Sequence, residues 1–431
     1  MPSETVEQGA LSRRPGSPAL QSTGARVVDL TAAVDMSSFT AVFMLPFAAV
    51  LAAAPLIILV YAYVGYPLIL LIAVRARRRH GATTQEFVWP LVTITVPVYN
   101  AVSSIRGTLE RLLDLDYPRD RLQLLVISDA STDGTDEIVR DFAVRGVALL
   151  RHPTRLGKTA GENAAVGISR GEIIVNVDAT ILVPRDSLKP LVRVFEDATI
   201  GMASGRDVSV GDRRFGGTRA ESTYVGYEMW VRDLETRAGS IVGASGCFYA
   251  IRRCIHAKAL PPDLSWDFAS ALVARQQGYR SVSVAAAVCV VPRTVEIRTE
   301  LRRKVRTMAR GISTLFYYRA LMNPFRYGGF AFMLISHKLL RWLPYLLTPV
   351  AILSLVLLAT HIMVARVLVV GLMVGLVGGA INLRQRESAS NSPLALAGFV
   401  VATLTAGSLA WWGALSRAEL ATWQPTPRPG A

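Results

Sequence analysis

The sequence predicts an α/β protein: a mostly parallel sheet with helices on both faces, plus transmembrane helices at both ends. Three observations carry this. Between residues 91 and 291, short β-branched apolar runs alternate with amphipathic stretches, the pattern of βα units that build a parallel sheet. Long runs nearly free of charge flank that segment on both sides. Several of the apolar runs stop on an acid, as in LLVISD at 124–129. Carboxylates at strand ends stand where open α/β sheets bind their ligands.

Taken in order, residues 1–40 are rich in Ser, Thr, Pro and Arg and read as a disordered tail. Residues 41–75 read as the N-terminal transmembrane helix. Leu51 to Val74 carries no charge, and about 20 apolar residues cross a bilayer. The run is too long, and too far from the start, for a signal peptide. Arg75, Arg77, Arg78, Arg79 and His80 follow at once, which marks the cytoplasmic side and puts the next domain there. The net charge of +15 owes something to this cluster. No basic strand with interleaved aromatics appears, so no nucleic-acid partner is expected, and the excess suits a surface near anionic lipid.

Residues 85–295 read as the cytosolic α/β domain. LVTITVPVY (91–99) is the first strand; SSIRGTLERLLD follows as a helix capped by Ser103, with Ile105, Leu109, Leu112 and Leu113 on one face. LQLLVISD (122–129) is a strand, TDEIVRDFAVR a helix, VALLRH a strand, TAGENAAVGISR a helix and EIIVNVDA (172–179) a strand. VGASGCFYAIRR (242–253) is a glycine-loosened loop leading into a strand, and LSWDFASALVARQQGYR (264–280) opens a helix. Residues 296–342 carry basic and interfacial helices, including the mixed NPFRYGGFAFMLISHKLLRW. Three further apolar runs make residues 343–415 the C-terminal transmembrane helices, followed by a tail at 416–431. The spans hold almost no ionisable residue, which argues against a transporter. Cys247, Cys254 and Cys289 have no metal-ligand spacing and read as reduced thiols.

The candidate chemistry lies at the strand ends. Asp129 either faces a crevice or caps the next helix; Asp133, beside Gly134, reads as the cap. Lys158 opens a helix after Gly157 and is either a phosphate contact or a solvated Lys. Asp178 ends an apolar strand, where an acid needs a bonding partner or a divalent ion. Asp267 starts a helix, as cap or as general base.

Together, VTITVPVYN, VISDASTDGT, GKTAGENAAV, NVDAT, GASGCFYAIRR, SWDFASAL and RRKVRTMARG resemble, in order, the motifs of family-2 glycosyltransferases. They are most similar to the membrane-embedded branch of hyaluronan, chitin, cellulose and poly-N-acetylglucosamine synthases, over about residues 60–320. The resemblance implies a GT-A-like sheet and transfer of a sugar, with inversion, from a UDP-linked donor to a saccharide or lipid-linked acceptor. It implies Asp129, Lys158 and the Pro97–Tyr99–Asn100 turn as nucleotide contacts and Asp178 as ligand of Mg2+ or Mn2+. It further implies Arg303, Arg306 and Arg310 beside the diphosphate, Asp267 as base, and Gly246 and Trp266 at the acceptor. Partners would be the donor, the acceptor and the bilayer, at the cytoplasmic face of the cell membrane. The sequence departs from the family pattern at Ser128, Ala101, Thr180 and Thr307. Thr180 replaces the second acid of Asp-x-Asp, and Thr307 the Trp of Gln-x-x-Arg-Trp, so single or few transfers are expected over long-chain synthesis. Two rival readings follow: a processive synthase that exports its product, which with so few spans calls for a homo-oligomer or a partner, and a weakly active membrane scaffold.

Overall fold

The computed structural model describes residues 43–75, 87–210, 219–292, 297–384 and 393–416. The expected tails and the basic cluster at 77–80 lie outside the described residues. The sheet, the site and the helices around them belong to one compact unit that begins at Phe47.

Seven strands form one sheet in the order β3-β2-β1-β4-β6-β5-β7. They are β1 (Val92–Val98), β2 (Leu122–Ser128), β3 (Val147–Arg151), β4 (Ile173–Val177), β5 (Ile200–Val210), β6 (Phe248–Arg252) and β7 (Arg280–Pro292). β1 pairs in parallel with β2 and β4, β2 with β3, and β5 with β7. β6 runs antiparallel between β4 and β5, so the mostly parallel sheet carries one reversed strand.

The continuous apolar runs reflect a sheet buried on both faces. Leu124 and Val126 point into one core, with Ile94 and Val96, under helix α2 (Ile105–Leu113). Leu125 and Ile127 point the other way, against Ala165 of α4 (Lys158–Ile168); α3 (Thr135–Asp141) lies between β2 and β3 in sequence. Ile105, Leu109, Leu112 and Leu113 are all buried, as their spacing requires. The N-cap position falls on Ser104, not Ser103, and makes no side-chain cap bond. On the first face sits α5 (Leu188–Arg193). On the second sit α6 (Arg219–Ala238) and α7 (Trp266–Gln276). Gly171, just ahead of β4, admits no side chain: a Cβ there would meet the Thr93 nitrogen and come within 2.7 Å of the Val92 carbonyl carbon.

Three helices are long and apolar enough to cross a membrane among the described residues: α1 (Leu45–Arg75), α9 (Gly329–Ala359) and the stretch Met363–Ile381. The last belongs to α10 (Met363–Arg384), which precedes α11 (Pro393–Leu415); the basic segment before α9 forms α8 (Ile297–Tyr317). The expected boundary between an interfacial helix ending at 342 and a span starting at 343 is absent, because α9 runs through it. Its basic residues meet acids of α6 instead of lipid headgroups. His337 lies 2.9 Å from Glu228 and 2.6 Å from Glu235, and Arg341 donates to Glu228 at 2.6 Å. From α1, Tyr66 donates to Glu235 at 2.6 Å. Both α1 and α9 contain a wide π turn, at Tyr61–Gly65 and Ile335–Leu339, and the two touch through Tyr61 and Ser336 at 3.0 Å.

Candidate active site

The carboxyl ends of β1, β2 and β4 lie side by side, and the loop before β6 reaches the same edge because β6 runs backwards. Two non-glycine residues adopt positive φ there, Asn100 at 50° and Ala130 at 59°, strain of the kind that gathers at functional sites. Bonds hold the two turns together. The Asn100 amide oxygen accepts from Thr132 N–H at 2.9 Å, and Asn100 N–H donates to Ser131 Oγ at 3.1 Å. The N-cap position of the next helix falls on Gly134, not on Asp133; Asp133, one residue earlier, accepts from Thr135 N–H at 3.1 Å and also ties Val102 N–H at 3.0 Å.

Asp129 is buried, and its carboxylate accepts the backbone N–H groups of Leu156 at 2.7 Å and Gly157 at 3.0 Å. Beside it, the Arg155 guanidinium carbon lies 3.7 Å from the centre of the Tyr99 ring. Three residues on, the Lys158 ammonium donates to Asp178 at 2.6 Å and to the Gly246 carbonyl at 3.3 Å. Burial alone would lower this ammonium's pKa; the Asp178 carboxylate, with Glu162 and Asp267, overrides that and raises it. Lys158 therefore stays charged and gathers three acids around it.

Asp267 stands in the first turn of α7. Ser265 Oγ donates to its Oδ1 at 2.6 Å, while its Oδ2 faces Gly246 so closely that a Cβ there would come within 2.9 Å. The loop leading to it is pinned from α4 and α8. Thr159 Oγ donates to the Leu264 carbonyl at 2.8 Å, and Asn163 exchanges two bonds with Leu260.

Arg310 is spent on the same loop. It is buried and donates to Thr159 Oγ at 2.6 Å, Pro262 O at 3.1 Å, Asp263 O at 3.3 Å and the Leu264 carbonyl. Its Nε and Nη2 thus brace the loop that carries Asp267, where the sequence led to the expectation of a diphosphate contact. Arg303 and Arg306 lie one turn apart on α8, the first exposed and the second half-buried. Burial, then Arg310, Arg303 and Arg155, lower the Arg306 pKa to about 10. Trp266 is not at an acceptor surface either. It is 3% exposed and stacks on His256 at 4.1 Å within the core; the apolar side of a helix start takes a large ring inward.

The structure thus gathers Pro97, Tyr99, Asn100, Asp129, Lys158, Asp178, Gly246 and Asp267 at one sheet edge, with Arg306 electrostatically within reach of Arg155. Sequence reasoning missed Arg155, Glu162 and Ser265. Arg155 lies in the same HPTRLGK segment as Lys158, yet nothing local shows that its chain folds back onto Tyr99.

Among the described residues, no group of three or more His, Cys, Asp or Glu could hold a metal by protein ligands alone. The donors at hand are the Asp178 carboxylate and the Thr180 hydroxyl two residues on. One carboxylate fits a Mg2+ or Mn2+ ion that draws its other ligands from phosphate oxygens and water.

Residues 93–259 match the family model described as Glycosyl transferase family 2. A β-monoglucosyldiacylglycerol synthase of Nostoc sp. is 26% identical over 182 residues, 41% of this chain and 39% of that protein. An N-acetylglucosaminyltransferase of Mesorhizobium japonicum is 25% identical over 241 residues, 50% of this chain and 55% of that protein. The chain thus spans between 39% and 55% of the length of these curated relatives. A solved mannosyltransferase from Pyrobaculum calidifontis, in complex with GDP-Man and Mn2+, superposes with a TM-score of 0.64 at 24% identity. The match covers 86% of this chain and all of that one, and it establishes a shared fold.

Proposed function

We propose that this chain, whose residues 93–259 match glycosyl transferase family 2, transfers a sugar from a nucleoside-diphosphate sugar, with inversion, to a saccharide or lipid-linked acceptor at the cytoplasmic membrane face. The observation that carries this reading is the chain of contacts Asp178–Lys158–Gly246–Asp267, with Asp129 at its flank. It sets an anion-binding cation and a half-buried carboxylate on the two sides of one short loop.

In this reading, Asp129, Tyr99 and the Pro97–Asn100 turn hold the nucleoside. Lys158 meets the diphosphate, joined by Arg306 and Arg303, while Arg310 braces the Asp267 loop. Asp267 takes the proton of the acceptor hydroxyl. The freed oxygen attacks the anomeric carbon from the face opposite the diphosphate. As that bond forms, the bond to the diphosphate oxygen breaks, and its electron pair leaves with the diphosphate. Ser265 holds the Asp267 carboxylate in one orientation throughout. Asp178 would hold the divalent ion, which when bound stabilises the charge growing on the leaving group. The UDP donor expected from the sequence and the GDP-Man of the solved mannosyltransferase make both nucleotides worth testing. The apolar helices α1 and α9 and the lipid-glucosylating relative from Nostoc support a membrane setting and an acceptor delivered from the lipid side.

The test uses the full chain in lipid nanodiscs, panels of UDP- and GDP-sugars with Mg2+ or Mn2+, and measured release of UDP or GDP. Asp267→Asn is expected to lower turnover by about 100-fold or more while nucleotide affinity stays unchanged. Turnover that survives this substitution removes the proposed base.

A further inference from the structure

Two groups assigned above to the nucleoside are already engaged by the chain itself. Arg155 covers the Tyr99 ring at 3.7 Å. The Asp129 carboxylate takes the N–H groups of Leu156 and Gly157, with Arg155 Nε at 3.9 Å. The contact leaves Arg155 poorly satisfied. Its Nε and Nη2 are buried without a hydrogen bond, although a guanidinium offers five donors in a fork suited to phosphate. Arg155 also lies close enough to repel Arg306, and it sits three residues before Lys158 on one loop. An anion between these cations relieves that repulsion and supplies the missing acceptors.

We propose that Arg155 is a displaceable stand-in for the nucleobase. It occupies the stacking face of Tyr99, gives that face up when a nucleoside diphosphate binds, and turns its donors to the diphosphate. The inference rests on the nucleotide site proposed above and deepens it. A cation over an aromatic ring is a modest attraction, stronger when desolvated, so a base can displace it, at a cost in affinity. The diphosphate contact returns that cost only when phosphates are present. Arg155 therefore discriminates nucleoside diphosphates from bare nucleosides.

The experiment measures binding of uridine, UDP, guanosine and GDP to the detergent-solubilised full chain, with Arg155→Ala and Arg155→Lys beside the wild type. Arg155→Ala is expected to bind the cognate nucleoside about threefold tighter or more, and its diphosphate about threefold weaker or more. Arg155→Lys keeps the charge and is expected to hold the diphosphate within about twofold of wild type. Equal weakening of nucleoside and diphosphate in Arg155→Ala would mean a clamp on the base and overturns the proposal. So does no change in either ligand. If the wild type binds neither diphosphate, the nucleotide site itself falls and this inference with it. If the wild type binds and the opposed shifts fail to appear, only the inference falls.

Discussion

Glu162 sits one turn beyond Lys158 on α4, almost wholly buried, and accepts one hydrogen bond from Thr95 at 3.0 Å while its other oxygen has none. Burial pushes its pKa up to about 7, against the pull of Lys158. An ordinary carboxyl loses its proton near 4.5. Between those values the folded chain keeps a proton that the unfolded chain has released. This group's contribution is therefore most favourable below pH 4.5 and declines as pH rises to about 7, by on the order of 3 kcal/mol. Glu162→Gln keeps an acceptor for Thr95 and removes the titration. Thermal unfolding of the variant is expected to vary less between pH 5 and 8 and to exceed wild type at pH 8; an unchanged slope refutes the assignment. Residues of this kind were opaque in the sequence. Lys158 and Asp178 announced themselves by standing at the start of a helix and the end of a strand. Glu162 and Arg155 matter only through distant neighbours, Thr95 and Tyr99, which no local pattern brings to them.

At the scale of elements, the loop from Ile241 to Cys247 joins the two halves of the site. Gly246 is there because Asp267 approaches its Cα face. In Gly246→Ala the new methyl would meet a carboxylate at the end of a movable side chain, so the fold should survive and the base should shift. The expected result is turnover lower by about 10-fold or more, since small misplacements of reacting groups are costly, with an unfolding midpoint within a degree or two of wild type. A large loss of stability without loss of activity per folded molecule would contradict this geometry. The strands that build the site, β1, β2, β4 and β6, were legible as short, mostly β-branched or apolar runs bounded by turn residues. β5 and β7 were not: β5 carries Ser204, Arg206 and Asp207 in its middle, and β7 opens on Arg280, Ser281 and Ser283 before an alanine-rich run of low strand propensity. The reversed direction of β6 was equally illegible, since pairing partners come from the whole sheet. Trp266 and Arg310 went astray for a related reason. Motif position located them near the site, but side-chain direction sent one into the core and the other onto carbonyls.

On the scale of the whole molecule, the catalytic unit is fastened to the apolar helices by ionic contacts in a dry setting. Glu228 of α6 takes Arg341 and His337, with Arg232 at 3.6 Å, and Glu235 takes Tyr66 and His337. Removing one partner of such a network leaves charge uncompensated, which typically costs about 3–5 kcal/mol. Glu228→Ala is therefore expected to lower the unfolding midpoint in detergent by several degrees and to loosen α9, read as faster proteolysis of the intact chain. A midpoint equal to wild type would show that the network does not fasten the helices. The sequence displayed His337 and Arg341 as headgroup contacts because their acids lie about a hundred residues upstream. The paired π turns in α1 and α9 carry a consequence for anyone aligning these helices. Each wide turn inserts one extra residue, which rotates everything beyond it by about 100° around the axis. A straight-rod template fitted to either helix would therefore point the wrong side chains outward along half its length.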